Sequence, residues 1–305
     1  MKRGVWRESK RSLSVLPALA GLVVVIALVA VGALGGCAAS SSPQAAGSSA
    51  PPSSPSATDA SPAASEKSPM KTVGIIGGIS WVSTVQYYRL INEMVQRQLG
   101  PLYSAPILLY SIPFGEFSKQ ERLANKGDWA PLRQTMVEAA KRLERGGADF
   151  IIVASNTMNS TDDLIEANVD IPVLSIIDVV GKAVNERGLK TVALLGTKYT
   201  MEEDFYKGRL QRDYGLNVVT PNASERDYIN SVIFDELCAG VFKKTSRDRF
   251  VKFIDRLVQE EGAEGVILGC TEIPLLMKGA DTYVPTFDTT ELHSAAAMWY
   301  LMGEE

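Results

Sequence analysis

Two stretches of this chain repeat each other in order. "KTVGIIGG" (71–78) matches "KTVALLGT" (190–197) at an offset of 119. "GADFIIVASNTM" (147–158) matches "GAEGVILGCTEI" (262–273) at an offset of 115. Each stretch is a short apolar run ending in small polar residues, as a buried strand does where it surfaces into a loop. Two halves built alike are therefore expected. Strands are expected at 72–76, 106–110, 150–154, 173–177, 191–195, 217–220, 265–269 and 283–287, with helices between them. Met136, Ala139, Ala140 and Leu143 keep one apolar helical face. So do Tyr88, Ile91 and Val95 in the first helix, and Ile229, Val232, Ile233 and Leu237 in a later one. Strand–helix alternation implies parallel sheets with right-handed crossovers.

The repeat begins only after residue 70. Residues 2–11 carry Lys2, Arg3, Arg7, Lys10 and Arg11 against Glu8, and an uncharged stretch with the apolar heart "LVVVIALVAVGAL" (22–34) follows. That order defines a secretory signal. "LGGC" ends at Cys37 and resembles a bacterial lipobox, in which the cysteine is lipidated. A plain membrane anchor is the alternative. Residues 38–69 are rich in Ser, Ala and Pro and read as a flexible tether. The expected location is the cell envelope, held to the membrane by the N-terminal lipid and facing away from the cytoplasm. "MKTVGIIGG" at Met70 would also open a cytoplasmic protein. Cleavage before Cys37 takes five basic residues and one acidic residue from totals of 31 and 35, leaving a net charge of −8. That balance disfavours a nucleic-acid partner.

Residues 70–305 are long enough for two modest α/β domains. They hold two cysteines, Cys238 and Cys270, and one histidine, His293. With no CxxC, a metal site is not expected. Cys238 sits on a helical pattern and reads as a packing residue. A disulfide between the two cysteines is left open. The repeat sets Cys270 opposite Ser155. If each half binds ligand beyond the carboxyl ends of its strands, the two residues face across one cleft. Cys270 precedes "TEIPLL", expected to turn into a short helix whose N-terminus would depress the thiol pKa. Asn156, Thr157 and Thr271 add donors suited to a carboxylate. A proton carrier on each face of an α-carbon permits racemisation without a cofactor.

"GIIGGISWVSTVQYYRLINE", "SNTMN", "LLGTKYTMEEDFYKGRL", "INSVIFDELCAG", "GVILGCTEIPLL" and "FDTTELHSAAA" together resemble the aspartate/glutamate racemase family, from about residue 70 to 303. The resemblance implies two pseudo-symmetric, Rossmann-like α/β domains, with an active site in the cleft between them. The expected division is 71–172 plus 284–305, and 173–283. It implies that Cys270 is a catalytic acid/base and that Asn156, Thr157 and Thr271 hold the substrate. It places Gly78, Ser80 and Trp81 along the cleft. The family pattern has Cys-Asn-Thr where this chain has Ser155-Asn156-Thr157, and often a histidine where Asn159 stands. A serine hydroxyl needs activation by a base, so slow or direction-biased exchange is expected.

Several residues have plainer readings. Asn156 and Thr157 also suit a helix cap. Glu272 reads as a first-turn partner of the helix dipole, with a second-shell base as the alternative. His293 reads as a packing residue with a second-shell role left open. Lys198, Lys126 and Arg122 are candidates for a distal carboxylate by charge alone. "GIIGG" is not GxGxxG and no GxSxG occurs, which argues against a dinucleotide enzyme and a serine hydrolase. The rival class is a lipid-anchored solute-binding protein for a small amino or dicarboxylic acid. The expected partner in either case is a small molecule, and a homodimer is left open.

Overall fold

A computed structural model describes residues 70–304. The expected signal, Cys37 and the 38–69 tether lie outside the described residues. Seven described strands form two sheets, each wholly parallel. They are β1 (Val73–Gly77), β2 (Ile107–Ser111), β3 (Phe150–Val153), β4 (Thr191–Gly196), β5 (Asn217–Val219), β6 (Gly265–Gly269) and β7 (Thr286–Asp288). The orders are β2-β1-β3 and β5-β4-β6-β7. The repeat mates β1 and β4 hold the same place, as do β3 and β6. The chain is thus an α/β protein with two Rossmann-like halves.

Each central strand is covered on both faces. Along β3, Phe150 and Ile152 join one core while Ile151 and Val153 join another. In β6, Val266 and Leu268 face away from Ile267. A strand's period of two sends alternate residues to opposite faces, and double burial explains the unbroken apolar runs.

Two expected strands differ from the structure. At 173–177 there is only a bridge from Ile151 to Val173. Ser175 then caps the helix Ile176–Glu186, its hydroxyl accepting from the Ile177 N–H, and this cap ends the extended run. The strand expected at 283–287 is the shorter β7. It pairs with β6 at the edge of the second sheet. Asp288 accepts from the Thr290 and Glu291 N–H groups and starts the last helix, Thr289–Met302.

The last helix packs Ala297, Met298 and Leu301 with Val73, Ile75 and Phe150 of the first sheet. Ile177, Val180 and Val184 of the helix Ile176–Glu186 pack with Val192 and Leu194 of the second sheet. The helices Ile176–Glu186 and Thr289–Met302 also pack against each other, which links the two sheets. In the first helix, Trp81–Leu99, the buried residue is Tyr87, whereas Tyr88 is 55% exposed. Tyr87, Ile91 and Val95 follow the i, i+4 spacing, and Tyr88 lies about 100° round the axis. Among the described residues, no helix is long and apolar enough to cross a membrane.

Candidate active site

Four strands end at one place. Beyond β1 comes Ser80, beyond β3 Ser155, Asn156 and Thr157, beyond β4 Thr197 and Lys198, and beyond β6 Cys270, Thr271 and Glu272. All line one cavity of about 690 Å³. The location is where open α/β sheets bind ligands. Ser155 and Cys270, at matched strand ends of the two halves, both open onto it.

Cys270 is only 6% exposed. Its thiol donates to Glu272 Oε2 at 3.0 Å, and the Thr271 hydroxyl donates to the same oxygen at 3.0 Å. Burial pushes the thiol pKa well up, and the Glu272 carboxylate adds to the rise. This corrects the expected depression. The helix after Cys270 is only Ile273–Leu276, too short to supply much dipole. Glu272 is correspondingly a partner of the thiol and not of a helix terminus. Cys238 also lines the cavity, from the turn Leu237–Ala239, and both cysteines are free thiols.

On the facing side, Thr157 hydrogen-bonds Thr197 at 3.0 Å and Thr200 at 3.1 Å through hydroxyls, and Thr197 and Thr200 meet at 3.0 Å. Each hydroxyl is both donor and acceptor, so Thr157 and Thr197, which line the cavity, can turn a proton toward a carboxylate with Thr200 buried behind them. The Asn156 side chain is engaged inside the protein. It donates to Thr289 Oγ1 at 2.9 Å and accepts from the Tyr206 hydroxyl at 3.1 Å. Ser155 Oγ accepts one long bond, 3.4 Å from the Met158 N–H. The Ser80 hydroxyl lines the cavity, buried and without a partner.

Other expected site residues lie elsewhere. Gly78 does not line the cavity. Its φ is 82°, and an added Cβ would fall 2.4 Å from the Ile112 carbonyl oxygen, so its role is a turn only glycine allows. Trp81 is 69% exposed on the first helix, outside the lining. His293 is fully buried between the Tyr87 hydroxyl at 3.1 Å and the Leu174 carbonyl at 2.8 Å. Burial pushes its pKa down to about 4. Lys198 lines the cavity with its ammonium on Asp227 at 2.6 Å. Arg122 lines it without an ion pair among the described residues, and Lys126 does not line it. No cluster of His, Cys, Asp and Glu among the described residues is arranged to hold a metal ion.

The Asp/Glu/hydantoin racemase family model matches residues 76–297. The chain belongs to that family. An aspartate racemase homologue from Pyrococcus horikoshii OT3 is 39% identical, with a TM-score of 0.67, covering 77% of this chain and 100% of its own. A Yersinia pestis protein assigned provisionally to the Asp/Glu racemases is 45% identical, with a TM-score of 0.70, covering 76% of this chain and 100% of its own. The broad specificity amino-acid racemase RacX of Bacillus subtilis is 20% identical over 223 residues, which are 72% of this chain and 92% of that protein.

Within this racemase fold, Asn159 is a buried tie. Its amide nitrogen donates to the Val153 and Ser155 carbonyls, and its oxygen accepts from the Ile176 N–H. It fastens the Ser155 loop to the start of the helix Ile176–Glu186. Asn159→Ala leaves the buried Ile176 N–H unpaired, whereas the Val153 and Ser155 carbonyls keep the Ser155 and Asn159 N–H groups. We expect urea unfolding to report a loss of about 2 kcal/mol; an unchanged midpoint would refute the tie.

Thr197, Glu121 and Asn230 are among the lining residues that the sequence did not single out. Thr197 is the repeat mate of Gly78, and the repeat itself points to it. Glu121 comes from the helix Phe114–Ala124, and Asn230 from Ala223–Asp235. No local motif marks either. Burial raises the Glu121 pKa to about 7.

Proposed function

We propose that this racemase-family chain moves protons at the α-carbon of an amino acid of the aspartate/glutamate type, without a cofactor, Cys270 serving one face and Ser155 the other. The observation that carries this reading is the placement of both residues at matched strand ends, on one cavity. The Cys270 sulfur, as thiolate, takes the α-proton. The C–H electron pair delocalises into the substrate carboxylate, which the Thr157 and Thr197 hydroxyls can stabilise. A proton then returns from the opposite face. The Arg122 guanidinium lines the same cavity and suits a distal carboxylate.

The two faces are unequal. No described side chain hydrogen-bonds Ser155 Oγ to activate it, and its one partner is a backbone N–H. Enantiomers have equal free energy in water, so kcat/KM for interconversion must match in both directions. The inequality appears instead as solvent exchange without inversion, from the enantiomer whose α-hydrogen faces Cys270. That enantiomer of aspartate or glutamate is expected to exchange in D2O about 100-fold faster than its mirror image, read by proton NMR with chiral analysis. Equal rates would remove the inequality. Absence of exchange in any amino acid would remove the enzymatic reading, and tight unreactive binding would restore the receptor alternative.

A further inference from the structure

The bond from Cys270 to Glu272 has a second half. Glu272 is 3% exposed and lines the cavity. Its Oε2 holds both hydrogen bonds, from Cys270 and from Thr271. Its Oε1 is buried with no partner, and no ion pair among the described residues includes this carboxylate. One oxygen therefore faces the thiol, and the other has lone pairs open to a proton. Resting on the reading of Cys270 as proton carrier, we propose that Glu272 takes the thiol proton and so generates the working thiolate. The same carboxylate keeps the sulfur protonated while the site is idle.

The step balances as a relay. The S–H bond breaks, its electron pair stays on sulfur, and the proton goes to the carboxylate. The thiolate then takes the α-proton, restoring S–H as the C–H pair moves into the substrate carboxylate. Once a proton has returned to the α-carbon from the opposite face, Glu272 releases its own to cavity water, which replaces the one given up there.

Electrostatics supports the resting half of this. A thiolate beside a carboxylate in a buried site is doubly disfavoured, by desolvation and by like charge. The titratable groups acting on Cys270 are Glu272 from its own loop and Cys238 from the Leu237–Ala239 turn, with Glu121 of Phe114–Ala124 acting on Cys238 in turn. Of these, Glu272 is the one in hydrogen-bond contact with the sulfur.

The test is a pair of measurements that Glu272→Gln should move in opposite directions. The first is iodoacetamide alkylation of Cys270 against pH, read by mass spectrometry on its own peptide. The second is α-proton exchange. Glutamine keeps a hydrogen-bond acceptor but loses the charge and the base. The alkylation midpoint is expected to fall while exchange drops about 100-fold. A midpoint that stays or rises, or exchange that persists, overturns the proposal. The wild type supplies a check independent of the variant's folding, since its midpoint should lie above ~8.5, the free thiol's value; a midpoint at or below that also overturns it. Exchange surviving in Cys270→Ala would instead defeat the underlying reading of Cys270, so the two failures are distinguishable.

Discussion

Cys270→Ala is expected to lower α-proton exchange about 1,000-fold, for every amino acid that the wild type processes. The sulfur is the one proton carrier in the cavity with a base already hydrogen-bonded to it, Glu272 Oε2 at 3.0 Å. Alanine removes the carrier and leaves Glu272 with only the Thr271 hydroxyl on that oxygen. The carboxylate does not substitute directly, because the relay uses it to receive the thiol proton and not the carbon-bound one. Substrate affinity should change little, since the Thr157 and Thr197 hydroxyls and Arg122 remain on the cavity. The loss should therefore fall on kcat and not KM. Folding should survive, because Cys270 packs as a small member of a large cluster around Leu268, Ile273 and Phe250 and alanine removes one atom. NMR exchange rates with a circular dichroism spectrum on each variant read both quantities. Exchange within tenfold of wild type, in a folded variant, would take the sulfur out of the chemistry.

What the sequence disclosed, it disclosed through the repeat. The two matched stretches put Ser155 and Cys270 at equivalent strand ends, and the strand-end rule for α/β sheets then brought them to one cavity. Thr197 was available by the same logic, as the mate of Gly78. The errors share a cause. A helix dipole was expected to depress the Cys270 thiol, but the helix is four residues long and the nearest charge, on Glu272, has the opposite effect. Trp81 was placed by the family resemblance and Tyr88 by its helical spacing to Ile91 and Val95, and one residue of helical rotation separates the exposed Tyr88 from the buried Tyr87. Asn156 lines the cavity, and its side chain is bonded to Thr289 and Tyr206, 133 and 50 positions away. Partners that distant in sequence leave no local signal. Glu121 and Asn230 reach the cavity from helices for the same reason.

Ser155→Cys tests the asymmetry from its weak side. Ser155 Oγ accepts only the long bond from the Met158 N–H, so replacing oxygen by sulfur forfeits little. A free thiol ionises near 8.5, far more readily than an alcohol, and the variant would hold a thiol at each matched strand end. Racemisation is expected to rise about 10-fold or more, equally in both directions, because the slow proton return becomes competent. Exchange without inversion should shrink in the same measure, since the intermediate now partitions toward the second face. The stronger form joins this change to Cys270→Ala. That double variant carries its one strand-end thiol on the first half, so the enantiomer that exchanges faster should be the opposite of the wild type's. A thiol at 155 lacks a hydrogen-bonded carboxylate like Glu272, so the double variant should be slow overall, and the sign of its preference is the informative quantity. An unchanged preference would mean that the two strand ends do not address opposite faces of the α-carbon, and the proposed geometry of proton transfer would fall with it.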